Sequence, residues 1–284
     1  MTPKTAFRTL GRSNSASAGA AGVLKNIAGC ALNVKPEKFT KELLQPDRKD
    51  DELLSSWTID FSAIEDWTEK SRFVWVILKE MNLMAEYKID SRKLCEFVSQ
   101  IRDGYNYYNN AYHNYDHGVS GKILEILLSL NYFLVMHSTY YIMKQLSSGQ
   151  MSTRFSNLVN LALLVAAFCH DVNHTGRTNV FEVNSGSDLA LLYHDRAVLE
   201  QHHAAYTFKI LKKDSCNIFA NLKTDDYKEL RKLMISNILA TDMKEHFDFM
   251  KDFRQLNDRV KQSKDDHLCK YCEFSSLLIS FCSI

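Results

Sequence analysis

At 284 residues the chain can bury one sizeable core and still carry a tail. A hydrophobic content of 45% beside 24% charged residues is that of an ordinary globular protein, and a formal net charge of +1 gives no steering field for nucleic acid and no polyanionic character. Only three prolines and ten glycines occur, so helix breakers are scarce and an all-α domain is expected.

Residues 1 to about 35 are rich in Ser, Ala and Gly, carry Lys4, Arg8, Arg12, Lys25 and Lys35, and have no acidic residue before Glu37. That composition fits a mitochondrial transit peptide and, better, a flexible basic tail reaching to about residue 50. A cytoplasmic protein is the expectation, with mitochondrial import as the alternative. From Asp60 onward helical spacing dominates. Trp67, Phe73, Val74, Ile77, Leu78 and Met81 recur at intervals of three and four, as do Leu94, Phe97, Val98 and Ile101. The second pattern is expected to break at Asp103-Gly104. A turn rich in Tyr and Asn follows, in which Tyr105, Tyr107 and Tyr108 read as packing residues. Gly121 to Met136 reads as a long buried helix, with a break at Ser147-Ser148-Gly149.

Phe155 to Cys169 reads as a second buried helix that ends at His170-Asp171, and Asn173 to Arg177 as a loop. Asp188 to Tyr193 reads as a short helix. Leu199 to Leu211 reads as an amphipathic helix carrying Glu200, His202 and His203. Tyr227 to Thr241 reads as another, with Leu230, Leu233, Met234, Asn237 and Ile238 down one side. No internal repeat and no run of strand-period alternation is found. The apolar runs at 123–136 and 158–169 are shorter than the roughly 20 residues a membrane-spanning helix needs, so no membrane span is expected. Seven cysteines at irregular spacing, with no secretory signal ahead of them, read as reduced thiols of an intracellular protein. Cys269-Lys-Tyr-Cys272 is a lone CxxC without the second pair a zinc ribbon needs.

Two histidine motifs carry the chemistry. Tyr112-His113-Asn114-Tyr115-Asp116-His117 places two imidazoles four apart, and His170-Asp171 is followed four residues on by His174. Residues four apart share a helix face, so each pair is expected to converge on one spot. Imidazole and carboxylate are the usual ligands of zinc and of harder divalent ions. Several His and an Asp drawn from two helices read as a hydrolytic metal centre. A carboxylate such as Asp171 suits two ions about 3.5–4 Å apart, and a histidine off the metal suits proton donation near neutrality. His202 and His203 read as packing or capping residues, His194 and His246 as surface residues.

These strings resemble the class I cyclic nucleotide phosphodiesterase catalytic domain. The likeness rests on Tyr112-His113-Asn114-x-x-His117; His170-Asp171-x-x-His174-x4-Asn179; Leu189-Ala190-x-x-Tyr193; Val198-Leu199-Glu200-x-His202-His203; and Leu239-Ala240-Thr241-Asp242-Met243, five motifs in one order over roughly residues 60 to 260. The resemblance implies an all-α, compact multi-helix bundle of the histidine-aspartate phosphodiesterase type across 60–264. It also implies hydrolysis of 3′,5′-cyclic nucleotides, cyclic AMP, cyclic GMP or both, to 5′-monophosphates in signal transduction. By the same resemblance His113 is the general acid, and His117, His170 and Asp171 bind a tightly held metal, zinc. Asp171 bridges to a second ion, magnesium or manganese. His174, Glu200 and Thr241 orient ligands and metal-bound waters. Tyr112 and Met243 line the nucleotide pocket, although Met243 reads equally as core filling. The stretch Tyr193 to Phe208 resembles dual-specificity members more than strict ones.

The likeness stops short. The family's later aspartate, which completes the first metal's ligands, and its purine-holding glutamine and phenylalanine are not recognisable, and residues 265–284 match nothing expected. The chain therefore reads as C-terminally truncated, with apolar faces left exposed on the helix from Tyr227 to Thr241. The alternative function that follows is a weakly active or inactive isoform that acts by homo- or hetero-oligomeric association with a full-length partner.

Overall fold

Helical periodicity becomes nine α-helices among the residues that the computed structural model describes, which are 67–115, 135–147, 155–244, 251 and 254–255. No strand occurs among them, so the all-α expectation holds. None of the described helices is long and apolar enough to cross a membrane.

Helix α1 (Trp67–Glu80) buries six consecutive apolar residues, Phe73 to Leu78. A helix apolar on every side belongs inside a core, and α1 packs against α3 and α4. After the single turn α2 (Leu83–Glu86) comes α3 (Ser91–Asn106). Asp90 caps α3 by accepting the N–H groups of Arg92 and Lys93 at 2.9 and 3.0 Å, satisfying donors that the first turn leaves orphaned. Leu94, Phe97, Val98, Ile101 and Tyr105 line its buried face.

The break expected at Asp103-Gly104 does not occur: α3 runs through both to Asn106. Gly104 is there for room. A Cβ on it would stand 2.8 Å from Val172 Cγ2 and 2.8 Å from Tyr206 Cε1, inside contact distance, so the glycine lets the turn after α5 and helix α8 press onto α3.

Helix α4 spans Val135–Ser147; the rest of the break expected at 147–149 and most of the buried helix read at 121–136 lie outside the described residues. Helix α5 (Asn157–Cys169) is central among the described helices. Ser156 caps it through Val159 N–H. Nine of its residues are buried, from Leu158 to Cys169, and it packs against α4, α8 and α9. Two short helices follow, α6 (Asn179–Ser185), capped by Thr178, and α7 (Asp188–Tyr193), capped by Ser187. Gly186 closes α6 at φ 60°, the left-handed geometry that favours glycine.

Helix α8 (Val198–Leu211) is buried on most of its surface, with His202, His203, Ala204, Tyr206 and Thr207 inside as well as its aliphatic residues. The amphipathic reading of this helix is thus corrected: it is sandwiched among α3, α5, α7 and α9 rather than laid on the surface. Helix α9 (Thr224–Leu239) begins three residues earlier than expected, and Thr241 lies beyond it. Leu230, Met234 and Ile238 are each 0% exposed, seated on α5, so the apolar face expected to stand bare at these positions is covered. Cys95, Cys169 and Cys216 are buried free thiols. The CxxC at 269–272, His246, the tail at 1–50 and residues 265–284 lie outside the described residues.

Candidate active site

The site is built where α5 ends. Cys169 is its last residue and His170 its C-cap. His170 Nδ1 lies 2.9 Å from the carbonyl oxygen of Ala167. A carbonyl only accepts, so Nδ1 carries the hydrogen and Nε2 is the nitrogen that faces outward. That Nε2 stands 3.1 Å from Asp171 Oδ2. Burial alone would disfavour a charged His170, but the Asp171 carboxylate outweighs it and holds the imidazole above its ordinary value.

The chain then turns rather than continuing the helix. Val172 N–H donates to Cys169 O and His174 N–H to Asp171 O, with Asn173 in the left-handed region at φ 62°. Asp171 N–H donates to the Tyr105 hydroxyl at 3.2 Å, and that hydroxyl donates to Phe168 O at 3.0 Å. Tyr105 is fully enclosed, and burial pushes its phenol well above the usual range. It stays a neutral clamp on the backbone that carries Asp171.

From α8 comes a second imidazole. His203 Nδ1 is 2.8 Å from Val172 O, and its Nε2 is 3.7 Å from Asp171 Oδ1. Burial depresses His203 to about 3, so the ring is neutral, with its hydrogen on Nδ1 and a lone pair on Nε2. His170 and His203 are therefore anchored alike, each through Nδ1 on a backbone carbonyl, and both aim Nε2 at the two oxygens of one carboxylate. Its neighbour His202, depressed to about 4 by burial, binds Asn173 Oδ1 through Nε2 at 2.8 Å. That bond fixes the turn residue whose φ is positive.

Tyr112 and His113 arrive on a bend, not a helix: 111–114 are bends and helical structure resumes at Tyr115. The shared helix face expected of His113 and His117 is thus corrected at His113, and His117 itself lies outside the described residues. The shared face of His170 and His174 is corrected too, because the helix has ended before either. What brings the rings together is stacking. His113 lies over His174 with centroids 3.8 Å apart and planes at 14°, and His174 over His203 at 5.6 Å and 18°. His174 Nδ1 accepts the Gly176 N–H at 3.0 Å, so its tautomer is the reverse of its neighbours' when neutral. Asn110 staples the two segments, its Nδ2 donating to His174 O at 2.6 Å and His113 O at 3.3 Å. Only glycine suits position 176, where φ is +77° and a Cβ would stand 2.6 Å from Asn110 Oδ1. Tyr115 ties the segment to α1 through Ser71 Oγ at 2.7 Å.

Glu200 is half-buried on the first turn of α8. Burial, helped by the charges of Asp242 and Asp171, raises its carboxyl to about 7, against hydrogen bonds from Asn179 and its own backbone. Thr241 donates its hydroxyl to Ile238 O at 2.7 Å, finishing α9. Met243 is 46% exposed, which rules out core filling. Tyr112 is half-buried edge-on to His113, ring centroids 4.5 Å apart. His194 is exposed, as are Tyr107 and Tyr108, which do not pack as expected.

The structure thus gathers His113, His170, Asp171 and His174, with Glu200 in electrostatic reach of Asp171, and adds Tyr105, Asn110, Asn173 and His203. Sequence reasoning read His203 as a packing or capping residue; the cue it left unused was the place of His203 in the Val198-Leu199-Glu200-x-His202-His203 motif. The donor chemistry fits a divalent cation, since imidazoles held through Nδ1 on carbonyls with Nε2 beside a carboxylate are how such ligands are oriented. Among the described residues no three His, Cys, Asp or Glu side chains form a complete ligand set by themselves.

Comparison with known proteins bears on this geometry. A family model described as 3′5′-cyclic nucleotide phosphodiesterase matches residues 112–284. The chain is 37% identical over 206 residues to the dual specificity calcium/calmodulin-dependent 3′,5′-cyclic nucleotide phosphodiesterase 1 of Drosophila melanogaster, covering 72% of this chain and 23% of that protein. It is 35% identical over 209 residues to the 3′,5′-cyclic-nucleotide phosphodiesterase regA of Dictyostelium discoideum, covering 73% and 24%. The chain therefore spans about a quarter of the length of these relatives. The crystal structure of the phosphodiesterase domain of the RhoPDE fusion protein from Salpingoeca rosetta superposes with a TM-score of 0.65 at 29% identity, over 86% of this chain and 68% of that one.

Proposed function

The chain belongs to the 3′5′-cyclic nucleotide phosphodiesterase family, and on that premise we propose that it hydrolyses 3′,5′-cyclic nucleotides, cyclic AMP, cyclic GMP or both, to 5′-monophosphates. The observation that carries this reading is the convergence of His170 Nε2 and His203 Nε2 on the Asp171 carboxylate, at 3.1 and 3.7 Å, beside the stacked rings of His174 and His113. His117, His170 and Asp171 would hold one divalent cation, zinc, and Asp171 would share a second, magnesium or manganese. When bound, such ions supply the Lewis acidity that makes water a nucleophile at neutral pH and offset charge building on the phosphate.

The chain's own groups do the rest. The Ala167 carbonyl keeps the His170 hydrogen on Nδ1, so Nε2 stays available as a donor atom. Tyr105 holds the backbone N–H of Asp171 and so fixes where its carboxylate can reach. His113 is the proton donor to the O3′ leaving oxygen; its ring plane is set by the stack on His174 and its backbone by Asn110. Tyr112 and Met243, both partly open to solvent, would line the nucleotide pocket by the family resemblance.

The test is turnover of cyclic AMP and cyclic GMP by the purified chain with zinc and magnesium, read as 5′-monophosphate on a column. Asp171→Ala and His113→Ala are expected to remove it. Undiminished turnover in Asp171→Ala overturns the reading. A folded chain that takes up metal without turnover favours the alternative of association with a full-length family member, and co-purification with such a partner then decides it.

A further inference from the structure

Asn179 closes the sequence motif that begins at His170. It sits at the first residue of α6 and is half-buried. Its side chain spans two groups of α8. Oδ1 accepts the Leu199 N–H at 2.9 Å, and Nδ2 donates to Glu200 Oε2 at 2.9 Å. The assignment is forced, because a backbone N–H can only donate and must face the amide oxygen. Helix α8 needs that acceptor: its N-cap, Ala197, has φ 41° and no side chain able to cap.

We infer that Asn179 is a positioning residue that caps α8 from outside the helix and, with the same amide, aims the Glu200 carboxylate. The inference deepens the proposed function and rests on it where Glu200 is read as orienting metal-bound water. One amide sets two things at once, the start of the helix that carries His203 and the rotamer of its carboxylate. With Nδ2 engaged, Glu200 Oε2 is pinned toward α6. The charged groups acting on it are Asp242 beyond α9 and Asp171 beyond α5, both raising its carboxyl, while Asn179 and its own backbone lower it.

Asn179→Asp separates the two tasks. An aspartate oxygen still accepts the Leu199 N–H, so thermal stability should hold below neutrality. The other oxygen now faces Glu200. Below neutrality the pair shares a proton and the contact survives; above it, two carboxylates repel. Mn2+ affinity of the full chain, measured by calorimetry across that range, should match the wild type in acid and fall about 10-fold behind as the pH rises. A ratio that stays flat with pH overturns the inference, since a cap alone would leave it flat. Asn179→Ala loses both contacts and should lower both stability and affinity; unchanged stability there also overturns it. If the wild type takes up no Mn2+, the proposed function fails instead. The Glu200 carboxyl band, assigned in infrared spectra with Glu200→Gln, then decides the inference: Asn179→Asp must move its titration upward, and an unmoved band refutes it.

Discussion

Glu200 shows how one side chain can record its surroundings. A carboxyl raised from 4.5 to about 7 binds its proton more tightly folded than unfolded. Its contribution to stability is therefore complete below the unfolded value and is lost as pH climbs through 7, the reverse of a salt-bridged acid. At about 1.36 kcal/mol per unit the swing is on the order of 3 kcal/mol. We expect metal-free protein to lose stability between about pH 4.5 and 7, by urea denaturation, and Glu200→Gln to flatten that slope. His203 makes a complementary case. His203→Phe strands the Val172 carbonyl in a buried place, a loss of about 1–3 kcal/mol in unfolding free energy, and should weaken Mn2+ binding about 10-fold. A variant that loses stability but keeps metal affinity would reduce His203 to packing.

Among the elements, α3 and α8 owe their closeness to the absence of one methyl group. Gly104→Ala places a Cβ 2.8 Å from both Val172 and Tyr206, and overpacking of this sort costs about 1–3 kcal/mol. Because Val172 lies beside Asp171, the push is also expected at the site, as reduced metal affinity. Val172→Ala in the same chain should return part of the lost stability, which a simple helix-propensity effect would not allow. The caps are a milder matter. Ser156, Thr178 and Ser187 each accept an N–H from the first turn of α5, α6 and α7, and Thr178→Ala should cost about 1 kcal/mol. Helix α6 also holds Asn179, so its loosening should reach Glu200.

For the molecule as a whole, the proposed cation site would couple cation binding to folding. A cation held only by the folded state, at about 100 times its dissociation constant, adds about 2.7 kcal/mol. Thermal unfolding should therefore rise with Mn2+ or Zn2+, fall back with chelator, and be indifferent to both in Asp171→Ala. The amino-acid sequence by itself determined the class of fold, because periods of three and four and a dearth of proline are local properties. It also singled out His113, His170, Asp171 and His174 by their spacing, and Glu200 through the resemblance to the phosphodiesterase motifs. It misjudged how these groups meet. Spacing by four suggested helix faces, whereas His113 rides a bend and His174 follows a turn. Gly104 looked like a break because its neighbours across space were not visible. Only the tertiary structure decided that His203 would face Asp171, that Asn110 would join two segments, and which ring nitrogens keep their hydrogens. Each of these depends on a carbonyl or a side chain distant along the chain, and proximity of that kind is created when α3, α5 and α8 pack together.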